Sequence, residues 1–269
     1  MERRFVKVEK GLGPQGRVAV VRFDRGDNIN ALSHQAMREL RDVPRDFEDD
    51  LETSVVVLTG GARAFSAGFD LKDADGRNRD ALPMGERIQR QRLGPKMCKA
   101  WQDMDQVTIA AVEGHCIGGG AALVVSLDFR TCGKSAHFRI PEVELGMNMS
   151  WGSIPRMLAL MGPARTKQAV ILASDRISAA DALAWGLVEN VVEDGQAFAT
   201  AMAFAEKVAR QPPIPVRMTK SSVNRLAHAL DDLAAHMDAD QNVLTGLTDD
   251  YKEGTSAFRE KRKPAFKGR

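Results

Sequence analysis

The chain has 269 residues, 43% hydrophobic and 28% charged, which is enough apolar material for a sizeable core and an ordinary polarity for a soluble globular protein. Its formal net charge of +2 supplies no general attraction to nucleic acid or to anionic membranes. Its three cysteines, Cys98, Cys116 and Cys132, are odd in number and lack a Cys-x-x-Cys pair, which argues against a disulfide framework or a zinc site and fits a reducing, cytoplasmic setting.

Taken in chain order, MERRF runs directly into the strand-like VKVEK, so neither a leader peptide nor a membrane span is expected. Residues 5–24 read as two strands of a hairpin. The G-x-G-x-x-G spacing at Gly11, Gly13 and Gly16 carries Pro14 and opens no helix, so it reads as the hairpin turn rather than a dinucleotide fingerprint. Ser33 is placed to cap a helix that carries Met37, Leu40 and Val43 on one face and is broken or kinked at Pro44. SVVVLTGG (54–61) reads as a buried parallel strand, and 62–80 as an irregular loop. One long helix is expected over 84–105, a strand over 108–112, two more over 128–132 and 136–140, and a short one over 187–192. The chain is mainly helical from Ile154. QPPIPV (211–216) divides a core, 1–210, from a helical region, 211–269, that ends in a basic run.

The organising stretch is TIAAVEGHCIGGGAA (108–122). Glu113 and Gly114 break the strand, and Gly118, Gly119 and Gly120 lead straight into a helix-forming run. Glycines before a helix expose amides that lack intrahelical acceptors, which suits an anion or oxyanion; the same triplet also serves where strand and helix merely pack closely. It lacks the Gly-Lys-Ser/Thr ending of a P-loop. A self-similarity supports the oxyanion reading. VVVLTG leads to Ala67, Gly68 and Phe69 as TIAAVEG leads to the triplet, and two such corners aimed at one point would make an oxyanion hole.

AFSAGFDLK (64–72), AAVEGHCIGGGAAL (110–123), IPEVELGM (140–147) and the tail FREKRKPAFKG, in this order and almost end to end, resemble the crotonase, or enoyl-CoA hydratase/isomerase, superfamily. The resemblance implies an α/β fold, a crotonase-type spiral of β-β-α turns followed by a C-terminal helical trimerisation region, assembling as a homotrimer or a dimer of trimers. It also implies an acyl-CoA substrate whose thioester carbonyl is held by the amides of Phe69 and Gly119, within loops that include Ala67, Gly68, Asp70 and Gly118. Coenzyme A enters as part of the substrate, with no separate cofactor and no metal. Lys72 matches a position near the pantetheine and phosphate end, and Phe258 and Lys261 lie in a tail that reaches a neighbouring subunit's CoA in relatives.

Of the two glutamates that face the substrate in family hydratases, the second is present as Glu142 and the first is replaced by Ala122. Ser150 stands where many hydratases have a glycine, and bulky Trp151 follows. Met84, Met97, Met147, Met149 and Trp151 are candidates for an acyl pocket or for plain core, and Glu144 defaults to the surface. A single carboxylate can carry one proton between two carbons, so the residues lean toward a 3-enoyl to 2-enoyl isomerisation or a hydration in which Glu142 does both jobs. Alternatives are an aromatic enoyl-CoA hydratase-lyase, a serine hydrolase using Ser66 in a near G-x-S-x-G setting, and a non-catalytic binding protein of this fold. Neither a nucleic-acid nor a membrane partner is expected.

Overall fold

The computed structural model describes residues 3–73, 82–173 and 175–269. Its strands in chain order are β1 (Val6–Leu12), β2 (Val18–Phe23), β3 (Val55–Thr59), β4 (Ala64–Ser66), β5 (Val107–Val112), β6 (His115–Ile117), β7 (Phe129–Gly133), β8 (His137–Arg139), β9 (Ile177–Ser178) and β10 (Asn190–Val192). They form a six-stranded sheet, β1-β2-β3-β5-β7-β10, and a four-stranded sheet, β4-β6-β8-β9. The β1/β2 hairpin is antiparallel, and from β2 onward the large sheet is parallel. The pairs β3/β4, β5/β6 and β7/β8 each give one strand to the large sheet and one to the small. This repetition is the crotonase-type spiral.

The helices are α1 (His34–Asp42), α2 (Met84–Gln91), α3 (Leu93–Gln102), α4 (Gly119–Val124), α5 (Ser153–Ile171), α6 (Ala179–Ala184), α7 (Ala197–Ala209), α8 (Pro213–Ala227), α9 (Asp231–Ala235), α10 (Asp238–Thr245) and α11 (Asp249–Glu260). Ser33 caps α1 as its position predicts, its hydroxyl accepting from the Ala36 N–H at 3.2 Å. All of β3 is buried because both its faces are covered. Val55 and Val57 pack on Ala197, Ala201, Ala205 and Ala209, the four-residue repeat along one side of α7. Val56 and Leu58 face the inner core with Phe65, Met97, Trp101 and Cys116. The Trp101 indole N–H donates to the Leu40 carbonyl at 2.9 Å and so ties α3 to α1. The three cysteines are free and buried.

The structure corrects several expectations. The helix predicted over 84–105 is two, because Pro95 has no N–H to return to the Gln91 carbonyl; the chain restarts at Leu93 after Arg92 at ψ −8°. The irregular loop contains β4, which pairs in parallel with the unforeseen β6, Ser66 opposite Cys116. Residues 74–80 of that loop lie outside the described residues. The strand predicted over 187–192 starts only at Asn190; Gly186 at φ 80° turns the chain so that the Leu187 N–H bonds back to the Ala182 carbonyl at 2.8 Å. Gly162 at φ 73° followed by Pro163 kinks α5. Among the described residues no helix is long and apolar enough to cross a membrane.

Candidate active site

The first wall of the site is the loop after β4, and it is held from both ends. The Ala67 N–H donates to the Ile29 carbonyl at 2.9 Å, the Leu32 N–H to the Gly68 carbonyl at 2.7 Å, and the Asp70 N–H to the Leu32 carbonyl at 3.1 Å. Asn30, 2% exposed and at φ 51°, donates from Nδ2 to the carbonyls of Phe23 (2.8 Å) and Phe65 (2.9 Å), while its Oδ1 accepts the Arg25 N–H at 3.0 Å. Arg25 pairs with Asp70 at 2.7 Å. Asp70 is therefore a brace of the loop. Lys72 is exposed, its N–H held by Asp70 at 2.9 Å. Ser66 is fully buried and its hydroxyl accepts the Gly68 N–H at 3.1 Å, so it holds the turn instead of offering a nucleophile to solvent.

With these bonds made, the Phe69 N–H is left without an acceptor among the described residues. The Phe69 ring, 37% exposed, stands edge-on to His34 at 5.5 Å, and His34 Nδ1 lies 2.9 Å from Asp73. Asn30, His34 and Asp73 carry no motif. A lone Asn between a strand and a helix cap was the available signal.

The glycine triplet forms the second wall. Gly118, at φ 51°, donates to the Arg139 carbonyl at 2.8 Å and accepts from the Ala122 N–H at 3.0 Å. The amide of Gly119, the first residue of α4, has no acceptor among the described residues. The two walls touch. A Cβ on Gly68, which sits at φ 82°, would lie 2.7 Å from the Ile117 carbonyl oxygen and 3.5 Å from the Gly119 nitrogen. A Cβ on Gly120 would strike the Ser66 Cβ at 2.8 Å. Glycine is needed here for close approach as well as for conformation.

Glu142 stands on the third side. It precedes the 3-10 turn Val143–Leu145, and its carbonyl accepts the N–H groups of Leu145 (3.0 Å) and Met147 (2.9 Å). Its carboxylate lies against Gly118, where a Cβ would come within 2.7 Å of Oε1. Oε2 is buried and has no hydrogen-bond partner among the described residues. Burial of the carboxyl pushes it up to about 7, against smaller lowering effects of a backbone hydrogen bond and of the Arg139 charge. Glu144 is no plain surface residue, since it pairs with Arg139, whose Nε donates to the Ala173 carbonyl at 3.0 Å. The turn after Glu142 is seated on α11: a Cβ on Gly254 would lie 2.7 Å from the Leu145 carbonyl carbon.

Ala122 is 0% exposed, and its side chain carries no polar group. Ser150 is 7% exposed, and its carbonyl accepts the Ser153 hydroxyl at 2.6 Å. Trp151, at φ 66°, is partly buried against the core. Met97 and Met149 are buried, Met147 is partly buried with its sulfur 4.0 Å from Asn242 Nδ2, and Met84 is 47% exposed. Phe258 is 53% exposed on α11, and Lys261 ends that helix at φ 55°. Among the described residues no hydrogen bond, ion pair or ring contact joins either of them to Phe69, Gly119 or Glu142 in one protomer.

Two open amides on abutting backbones, beside a carboxyl whose buried Oε2 is unpartnered among the described residues, are the groups needed to hold a carbonyl oxygen as charge develops on it while a proton is moved nearby. Similarity to known proteins gives the family. The family model described as enoyl-CoA hydratase/isomerase matches residues 13–269. The short-chain-enoyl-CoA hydratase of Clostridium acetobutylicum is 34% identical over 272 residues, covering 100% of both chains. The crotonyl-CoA hydratase of Syntrophomonas wolfei is 32% identical, covering 95% of this chain and 96% of its own. A solved enoyl-CoA hydratase from Mycobacterium avium subsp. paratuberculosis shares the fold at a TM-score of 0.85, with 22% identity, covering 99% of this chain and 100% of that one.

Proposed function

The chain belongs to the enoyl-CoA hydratase/isomerase family, a lyase or isomerase acting on acyl-CoA thioesters, and on that premise we propose that it works with an oxyanion hole made by the Phe69 and Gly119 amides and with Glu142 as its one proton-moving side chain. The observation that carries this reading is the Glu142 carboxyl, its Oε1 against Gly118 and its buried Oε2 without a partner among the described residues, one residue from the open amide of Gly119. The thioester oxygen sits between the two amides, each contributing about 3 kcal/mol to an enolate-like transition state. No redox cofactor is called for, since a proton moves and no electron does.

The chemistry this site supports best is a 1,3-proton shift. Glu142 takes a proton from C2 of a 3-enoyl-CoA, the C2–H bond breaking as the carboxyl O–H forms. The double bond moves from C3=C4 to C2=C3, and the same proton returns to C4. Ala122 supports this reading, because no second carboxylate is on hand at its position. A second reading, hydration of a short 2-enoyl-CoA with Glu142 both activating the water and protonating C2, is favoured by the names of the relatives above.

A paired assay with a 3-enoyl-CoA and a trans-2-enoyl-CoA, following the enoyl-thioester ultraviolet band, separates them. A gain of absorbance from the first substrate alone means isomerisation, and a loss from the second means hydration. Glu142→Gln is expected to lower either rate by at least about a thousandfold; full activity in that variant overturns the assignment.

Residues 1–210 are proposed as the catalytic core and 211–269 as the assembly region of a cytoplasmic homotrimer or dimer of trimers. Support comes from apolar side chains left in solvent on the last helices, Ile214 at 69%, Leu226 at 83% and Leu233 at 73% exposed among them. Lys72, together with Phe258 and Lys261 of a neighbouring subunit, is proposed to bind the CoA phosphates and adenine end.

A further inference from the structure

Trp151 is held in a conformation that a tryptophan adopts only when its surroundings impose it. Its φ of 66° lies in the left-handed region. The turn is clamped on both sides. The next amide, Gly152 N–H, donates to the buried Asp238 Oδ2 at 2.7 Å. The Trp151 carbonyl accepts from Arg156 Nη1 at 3.1 Å, and Arg156, 4% exposed, also donates from Nη1 to Ser126 Oγ at 2.8 Å and from Nε to Gln102 Oε1 at 3.0 Å. Such a network around one left-handed residue fixes where its side chain goes.

The indole enters a slot between two glycines. A Cβ on Gly94, in the first turn of α3, would lie 2.1 Å from Trp151 Cε2, and a Cβ on Gly119 would lie 2.4 Å from Cζ3. The pyrrole side therefore rests on α3 and the benzene side on the residue whose amide is proposed to hold the thioester oxygen. Glu142 occupies the corresponding place on Gly118. An acyl group that starts at the Gly119 amide and passes Glu142 meets the indole within its first few carbons.

We propose that Trp151, slotted between Gly94 and Gly119, is the end wall of the acyl site and restricts the substrate to short acyl groups. This inference rests on the acyl-CoA reading of the site. Asp238 and Arg156 are positioning residues for that wall.

The test measures kcat/KM for 2-butenoyl-CoA and 2-decenoyl-CoA, or for the matching 3-enoyl pair if the enzyme isomerises. It also measures, by calorimetry, Kd for butyryl-CoA and decanoyl-CoA, which cannot react. In Trp151→Ala both long-to-short ratios should rise by about tenfold or more, the scale of discrimination a tight apolar wall provides. Gly94→Ala, whose methyl must push the indole out of the slot, should shift them in the same direction, and the double variant should add little to Trp151→Ala. Trp151→Leu, which keeps apolar volume in the slot, gives a smaller shift and stands in if the alanine variant does not fold. Ratios within twofold of wild type in the folded variants overturn the wall while leaving the proposed chemistry intact. A wild-type protein that turns over no enoyl-CoA but binds the saturated thioesters with the expected shift refutes the chemistry and keeps the wall. Failure to bind any acyl-CoA refutes both.

Discussion

Glu142 is the residue on which structure and pH dependence make the sharpest joint prediction. Burial moves its carboxyl from an ordinary 4.5 to about 7 in the folded chain. That difference disfavours the ionised folded form by about 3 kcal/mol. Between pH 4.5 and about 7 the folded state holds a proton that the unfolded chain has released, so this residue's contribution to stability is fullest below 4.5, declines as pH rises, and levels off above 7. Glu142→Gln removes the titration. Denaturant unfolding of both proteins from pH 4.5 to 8.5 should therefore show the glutamine variant gaining on wild type by up to about 3 kcal/mol across that window, other groups cancelling in the difference. Catalysis runs the opposite way. A base must be ionised to accept a proton, so kcat/KM of wild type should rise tenfold per pH unit below a midpoint near 7 and flatten above it. A stability difference that does not vary with pH, together with a kinetic midpoint near 4.5, would falsify the claim that burial against Gly118 tunes this carboxyl.

Three further outcomes test the frame around it. Gly118→Ala places a methyl 2.7 Å from Glu142 Oε1 at φ 51° and ψ −116°, so turnover should drop by about a hundredfold or more while the backbone strain lowers stability by about 1–3 kcal/mol; steady-state kinetics and thermal unfolding read the two separately. Asn30→Ala leaves the Phe23 and Phe65 carbonyls and the Arg25 amide without their partner and should cost about 2–4 kcal/mol in denaturant unfolding, with kcat/KM reduced because the Phe69 amide is no longer held in place. Leu226→Glu with Leu233→Glu, at positions 83% and 73% exposed, should reduce the proposed trimer to monomers in size-exclusion chromatography with light scattering; an unchanged mass would show that these helices do not join subunits.

What could be read from the residues depends on how local the cause is. The buried run of β3, the Ser33 cap and the hairpin were legible because each is set by a few neighbouring side chains. The strands β4 and β6, with three residues each, were not, since they exist only because Ser66 and Cys116 are brought side by side by the spiral. The site divides in the same way. Phe69, Gly119 and Glu142 stand in motifs whose order along the chain reports the family, and the structure places their loops against one another. Asn30 and the Arg156–Gln102–Ser126 network appear in no motif, because their partners lie far away in sequence. Trp151 shows why such residues matter. In sequence it is an apolar residue after a serine, equally suited to core or pocket, and nothing nearby predicts φ 66°. Only with Gly94 against its pyrrole side and Gly119 against its benzene side does it become a specific object, since either glycine with a side chain would expel the indole. On the proposed reading the two departures are complementary: Ala122 in place of a carboxylate leaves Glu142 alone to move the proton, and the indole on Gly119 limits how much substrate can stand beside it.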